Sequence, residues 1–141
     1  MDKITVSWLD DIKSTVLVTY HVEGWTWQDL LQAFKQQRAL IDSVDKPVID
    51  IIVDVRKSNF MPKAHSLLGV IKNVSVQRHP RQGKTIVVGA SMFILSVANA
   101  MNKMVKSQMD FLFVPTMDAA ITLLDELVSH RQSAQPAAAG H

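Results

Sequence analysis

The residues best suited to chemistry stand in one short run, Asp54-Val55-Arg56-Lys57-Ser58-Asn59-Phe60. Arg56 and Lys57 would attract an anion, and Ser58 could accept a phosphoryl group. Asp54 stands where it could position either. This reading makes the run a docking or phosphate-sensing loop for a protein partner, with Trp25 as an optional aromatic contact, although a hydrophobic staple of Trp25 against Leu30 is the favoured role. The plainer reading is a helix entry, in which Ser58 or Asn59 caps, Asp54 pairs with a neighbouring base and the rest is solvated. The plainer reading carries the greater weight.

Other candidates are weaker. Ser91 follows Gly89-Ala90 and could offer amides at a helix N-terminus, but no glycine-rich phosphate fingerprint accompanies it. It also lacks the G-x-S-x-G elbow of a hydrolase nucleophile. His21, His65, His79 and His130 share no metal-ligand spacing. His65 is the one histidine placed to act as a base, and an ordinary surface role outweighs that reading. The chain contains no cysteine, which excludes thiolate nucleophiles, zinc-thiolate sites and disulfides. No cofactor and no metal site are expected, and the chain reads as a non-enzyme. Met61, Met92, Phe93, Met101 and Met104 suggest an apolar ligand pocket, because thioethers line adaptable surfaces. An ordinary core outweighs that reading. The basic loop Arg78-His79-Pro80-Arg81-Gln82-Gly83-Lys84 would suit an acidic partner or anionic head groups, or serve only as a solvated connector.

These residues need elements to position them. Ile4–Leu9 alternates apolar and polar residues, as in an edge strand. Thr15–Val22 is β-branched, and the short link between the two predicts an antiparallel hairpin. Thr26 with Asp29 resembles a capping box. Trp27, Leu30, Leu31, Phe34 and Ile41 then follow at helical spacing. Val48–Val55 is a near-continuous apolar run, as expected of a strand buried on both faces. A second helix is expected over Ala64, Leu67, Leu68, Ile71 and Val74. A strand is expected at Thr85–Gly89, and a third helix over Ile94, Val97, Ala98, Met101 and Val105. Phe111–Val114 is a last strand, and Thr116 can cap a fourth helix. The pattern predicts one α/β domain over 1–132, with a five-stranded, mostly parallel sheet, an antiparallel N-terminal edge strand and four helices. Residues 133–141 are expected to form a disordered tail. In such a sheet the loops after Val22, Val55, Gly89 and Val114 share one edge, where sites are usually built. The basic loop precedes its strand, so it belongs at the other edge.

Composition sets the outer limits. The chain has 141 residues, 48% hydrophobic and 20% charged, with 15 basic and 13 acidic side chains and a net charge of +2. That charge does not suggest a nucleic acid partner. The N-terminal residues lack a signal-peptide apolar core. No apolar run approaches the ~18–20 residues that span a bilayer, so no integral membrane segment and a cytoplasmic location are expected. Trp8 on an apolar edge strand raises the option of a homodimer.

Three segments carry a family resemblance. Gly24-Trp25-Thr26-Trp27-Gln28-Asp29-Leu30, Asp50-Ile51-Ile52-Val53-Asp54-Val55-Arg56 and Phe111 to Ala120 resemble segments of the STAS domain superfamily. The likeness is nearest to the divergent SpoIIAA-like branch with its STAS/Sec14-like fold. It implies a regulatory or protein-interaction module like bacterial anti-sigma-factor antagonists. The Sec14 side of the likeness implies, as the alternative, a small carrier or sensor of a lipid-like ligand. Signalling STAS domains follow the central strand with Asp-Ser-Ser/Thr-Gly and are phosphorylated on that serine. Here the loop reads Asp54-Val55-Arg56-Lys57-Ser58, so Ser58 is the nearest hydroxyl and the Asp-Ser pair is missing.

Overall fold

A computed structural model describes residues 3–10, 13–21, 25–57, 79–89 and 111–134. The order is β1 (Ile4–Trp8), β2 (Thr15–Tyr20), α1 (Trp27–Asp42), β3 (Ile49–Asp54), β4 (Gln82–Val88), β5 (Phe111–Val114) and α2 (Met117–Ala134). The five strands form one sheet in the order β1-β2-β3-β4-β5. β1 and β2 are antiparallel, and the other neighbours are parallel.

The hairpin is tied at its turn by Asp10, which accepts from the Ser14 N–H at 3.1 Å and the Ser14 hydroxyl at 2.8 Å. α1 begins at the expected capping box. The Asp29 N–H donates to the Thr26 hydroxyl at 3.2 Å, and the Thr26 N–H donates to the Asp29 carboxylate at 2.8 Å. Each bond satisfies an amide that a helix start would otherwise leave open. At α2 the Ala119 N–H donates to the Thr116 hydroxyl at 3.1 Å, so Thr116 caps as its sequence position implies.

Strand alternation sorts the core onto two faces. Ile49 and Ile51 of β3 join Val16, Val18, Leu30, Ala33 and Ile41 on the α1 face. Ile52 joins Ile86, Val88, Ala120 and Leu124 on the α2 face. A fully buried isoleucine such as Ile51 or Ile52 contributes roughly 1.5–3 kcal/mol over leaving it exposed. β3 is buried on both faces because it lies at the centre of the sheet, but toward α2 its Ile52 is flanked by Asp50 and Asp54.

The sheet agrees with the expectation, including the antiparallel edge strand. The four expected helices do not carry over as a set: the described residues hold two. The stretches read as the second and third helices fall outside the described residues. β4 starts at Gln82 rather than Thr85, so part of the basic loop is strand. α2 runs to Ala134, which places Ser133 in a helix rather than in a tail, and residues 135–141 lie outside the described set.

Candidate functional site

Three strand ends meet at the carboxyl edge of the sheet. The Val55 N–H donates to the Val88 carbonyl at 3.1 Å, and the Gly89 N–H donates to the Val114 carbonyl at 2.9 Å. The exits of β3, β4 and β5 therefore lie side by side, as strand order requires. Of the loop after β2, His21, Trp25 and Thr26 are described.

Asp54 organises the turn that leaves β3. It accepts from the Arg56 N–H at 3.1 Å, from Arg56 Nε at 2.9 Å and from Arg56 Nη2 at 2.8 Å. The carboxylate is largely enclosed at 12% exposure, while the Arg56 side chain is 51% exposed. The bonds from Arg56 hold the Asp54 carboxyl below the usual carboxylate range, and Asp54 in turn raises the Arg56 guanidinium. Lys57 is exposed beside them. Asp54, Arg56 and Lys57 together carry one net positive charge on a turn whose shape is fixed from within. This arrangement favours holding an anionic group over proton transfer, because both oxygens of the carboxylate are already engaged.

Gly89 completes the turn. Its φ is +73°, and a Cβ there would collide with Cγ of Arg56 and lie 3.3 Å from its Cα. Only glycine combines that backbone with that proximity. From the sequence Gly89 is only the end of a strand ahead of Ser91, although a glycine directly after an apolar strand is a usable signal of such a turn.

Trp25 requires correction as a partner contact. It is 4% exposed and belongs to the core cluster that also holds Leu30. Tyr20 meets it edge to face, with ring centroids 5.2 Å apart and planes at 84°. Trp25 precedes the cap and Leu30 is the fourth helical residue, the positions of a hydrophobic staple. The same enclosure pushes the Tyr20 phenol well above its ordinary range. Ser58, Asn59 and Phe60 lie outside the described residues, as do His65, Ser91 and the proposed apolar lining of Met61, Met92, Phe93, Met101 and Met104.

The opposite edge is polar for structural reasons. Arg81 donates to the carbonyls of Val44 at 2.9 Å, Lys46 at 2.8 Å and Ile41 at 2.8 Å. α1 has no basic residue in its own last turn, so Arg81 supplies the cation that its carboxyl end favours. His79 is buried beside it. The Arg81 N–H donates to His79 Nδ1 at 3.0 Å, which leaves Nε2 protonated to donate to Asp42 at 2.7 Å. That bond holds the Asp42 carboxyl below its usual range. This part of the basic loop is neither a lipid-facing patch nor a solvated connector. It clasps a helix.

A second clamp joins α2 to β3. Arg131 donates to Asp50 through Nη1 at 2.7 Å and Nη2 at 2.6 Å, and the Lys84 N–H adds a third bond at 2.9 Å. Asp50 is 3% exposed in its side chain. Elsewhere, Thr5 and His21 are bonded at 2.8 Å. Among the described residues no group of three or more His, Asp or Glu side chains is arranged to hold a metal, and no helix is long and apolar enough to cross a membrane. Neither a family model nor a curated protein matches the chain.

Proposed function

We propose that this protein is a non-enzymatic regulatory or protein-interaction module of STAS/SpoIIAA-like type, with its partner docking at the carboxyl edge over Asp54, Arg56, Lys57 and the residues that follow to Phe60. The observation carrying this reading is the preformed cationic turn. Arg56 is held by three bonds to Asp54 yet remains half exposed, and Lys57 stands free of the core beside it. A turn fixed before binding loses little entropy when an anionic surface meets it. Among the described residues, three titratable groups that might otherwise serve catalysis have structural partners: Asp50 has Arg131, His79 has Asp42, and His21 has Thr5. A cytoplasmic location belongs to the same proposal. Ser58 is the proposed phosphosite, and without the Asp-Ser pair its modification would work by changing the charge of this turn.

The test is a photo-crosslinking residue placed at Lys57 in the native host, with mass spectrometry of the captured species. A captured protein should be lost in an Arg56→Ala/Lys57→Ala variant whose circular dichroism is unchanged, and its binding should change in Ser58→Asp. An identical capture by the double variant would remove the carboxyl edge from consideration. A lipid-like mass retained in native mass spectrometry, with no protein captured, would replace this reading by the carrier alternative.

A further inference from the structure

We infer that β1 is a self-association edge, pairing antiparallel with β1 of a second copy about a two-fold axis through Val6. The backbone register supports this. β1 is the first strand of the sheet order, so one of its sides faces away from β2. The Leu9 N–H donates to the Thr15 carbonyl, and the His21 N–H donates to the Lys3 carbonyl, each at 2.8 Å. In an antiparallel ladder the paired residues alternate. Lys3, Thr5, Ser7 and Leu9 therefore direct their N–H and C=O groups at β2. Ile4, Val6 and Trp8 direct theirs outward. Among the described residues nothing pairs with that outer side.

Within the strand itself the usual sequence devices against strand addition are missing. Ile4–Trp8 contains no charge and no proline, and its register with β2 runs unbroken from Ile4–Tyr20 to Trp8–Val16. Natural edges are normally interrupted by a bulge, a proline or a charge. The opposite edge, β5, is shorter and is closed by Pro115. α1 packs on β1 and β2, then crosses toward the start of β4, where Gln37 donates to Gln82 at 3.1 Å.

The occupant that fits is a second copy. The outward-facing residues are symmetric about Val6, so a two-fold axis pairs Val6 with the partner's Val6 and Ile4 with the partner's Trp8, all through hydrogen-bonding positions. Trp8 against a β-branched residue is a favourable cross-strand pair. The described charges also agree. Exposed Lys3 precedes one end of the strand and Asp10 follows the other. Antiparallel self-pairing sets each Lys3 beside the partner's Leu9 and Asp10, whereas parallel pairing would stack like charges. The two-fold would point the two carboxyl edges in opposite directions and leave both open.

Sedimentation velocity across a concentration series tests the idea. The wild type should move from 15.7 kDa toward twice that mass. Val6→Pro removes only an outward donor, which an edge strand tolerates, so it should stay at the single mass with unchanged circular dichroism. Should Val6→Pro fail to fold, cysteine pairs decide. With no native cysteine present, Val6→Cys should form a covalent dimer on mild oxidation, since a hydrogen-bonded pair sets Cα atoms about 5.5 Å apart, within disulfide reach. Ser7→Cys should not, because the partner's Ser7 lies diagonally at roughly 7–8 Å. A wild type that stays at the single mass at every concentration overturns the proposal. So does a dimer that survives Val6→Pro, or one in which Val6→Cys gives no covalent link.

Discussion

Asp54 and Arg56 are two residues apart, yet three hydrogen bonds between them close the turn that leaves β3. A guanidinium bonded through Nε and Nη2 to its own loop's carboxylate is oriented, not neutralised out of use, because half of it still faces water. The arrangement depends on Gly89, which has to combine a left-handed backbone with direct contact against Arg56. Gly89→Ala should therefore cost about 1–3 kcal/mol, of which roughly 1–2 comes from the left-handed conformation alone. It should also push Arg56 off Asp54, so the Asp54 carboxyl should titrate nearer the ordinary carboxylate range. Urea unfolding measures the first effect and carboxyl-carbon NMR the second. An alanine variant with unchanged stability and unchanged Asp54 titration would mean that Gly89 does not shape this turn. The Asp54–Arg56 pairing itself was legible from spacing, since the sequence already offered a base adjacent to Asp54. The role of Gly89 was not, because it depends on a contact between two loops far apart in the chain.

At the level of elements, local pattern and described structure agree for the first three strands and the start of α1. Period-two alternation located β1, β-branched runs located β2 and β3, and Thr26 with Asp29 located the start of α1. The misreadings came where distant residues decide the conformation. Gln82-Gly83-Lys84 looks like a turn, but it is strand because Gly83 lets β4 approach Asp50 and Arg131. A Cβ there would collide with Oδ1 of Asp50 and lie 3.1 Å from Nη2 of Arg131. Gln37 is buried on α1, where its amide donates to Gln82. The Asp50–Arg131 clamp predicts its own test. Arg131→Met should cost about 3–5 kcal/mol, because it leaves a buried carboxylate with only the Lys84 N–H. Asp50→Val combined with Arg131→Met should recover most of that loss, since replacing both partners removes the buried charge. Chemical denaturation of the single and double variants checks both. A single variant losing less than about 1 kcal/mol would mean that solvent reaches Asp50 and the clamp is not what fixes α2. A parallel expectation holds for Arg81, which bonds three carbonyls at the end of α1. Arg81→Ala should cost roughly 2–4 kcal/mol, with hydrogen exchange accelerating first in the last turn of that helix.

Across the described residues, the two helices cover opposite faces of one sheet, and polar contacts tie down the ends that packing alone would leave loose. Arg81 and His79 hold the end of α1, Arg131 holds the end of α2, and Asp54 with Arg56 holds the exit of the central strand. This design makes stability depend on pH in a definite direction. Asp29, Asp42 and Asp54 all sit below the ordinary carboxylate range in the folded state. The first is lowered chiefly by the Thr26 N–H, the second by His79 and the third by Arg56. A folded pKa below the unfolded one means that the unfolded chain binds more protons in the interval between them, so stability rises with pH there. The three contributions are complete above the unfolded carboxylate value of about 3.9. They disappear as pH falls through the lower folded values. Urea midpoints should therefore hold steady from neutral pH to about 5 and decline below about 4. Asp29→Asn, Asp42→Asn and Asp54→Asn together should lower the plateau and flatten the decline, because asparagine has no proton to gain. The slope below the plateau separates this account from a general effect of acid. If the triple variant keeps the wild-type slope, other groups drive the acid transition and these three bonds do not govern it.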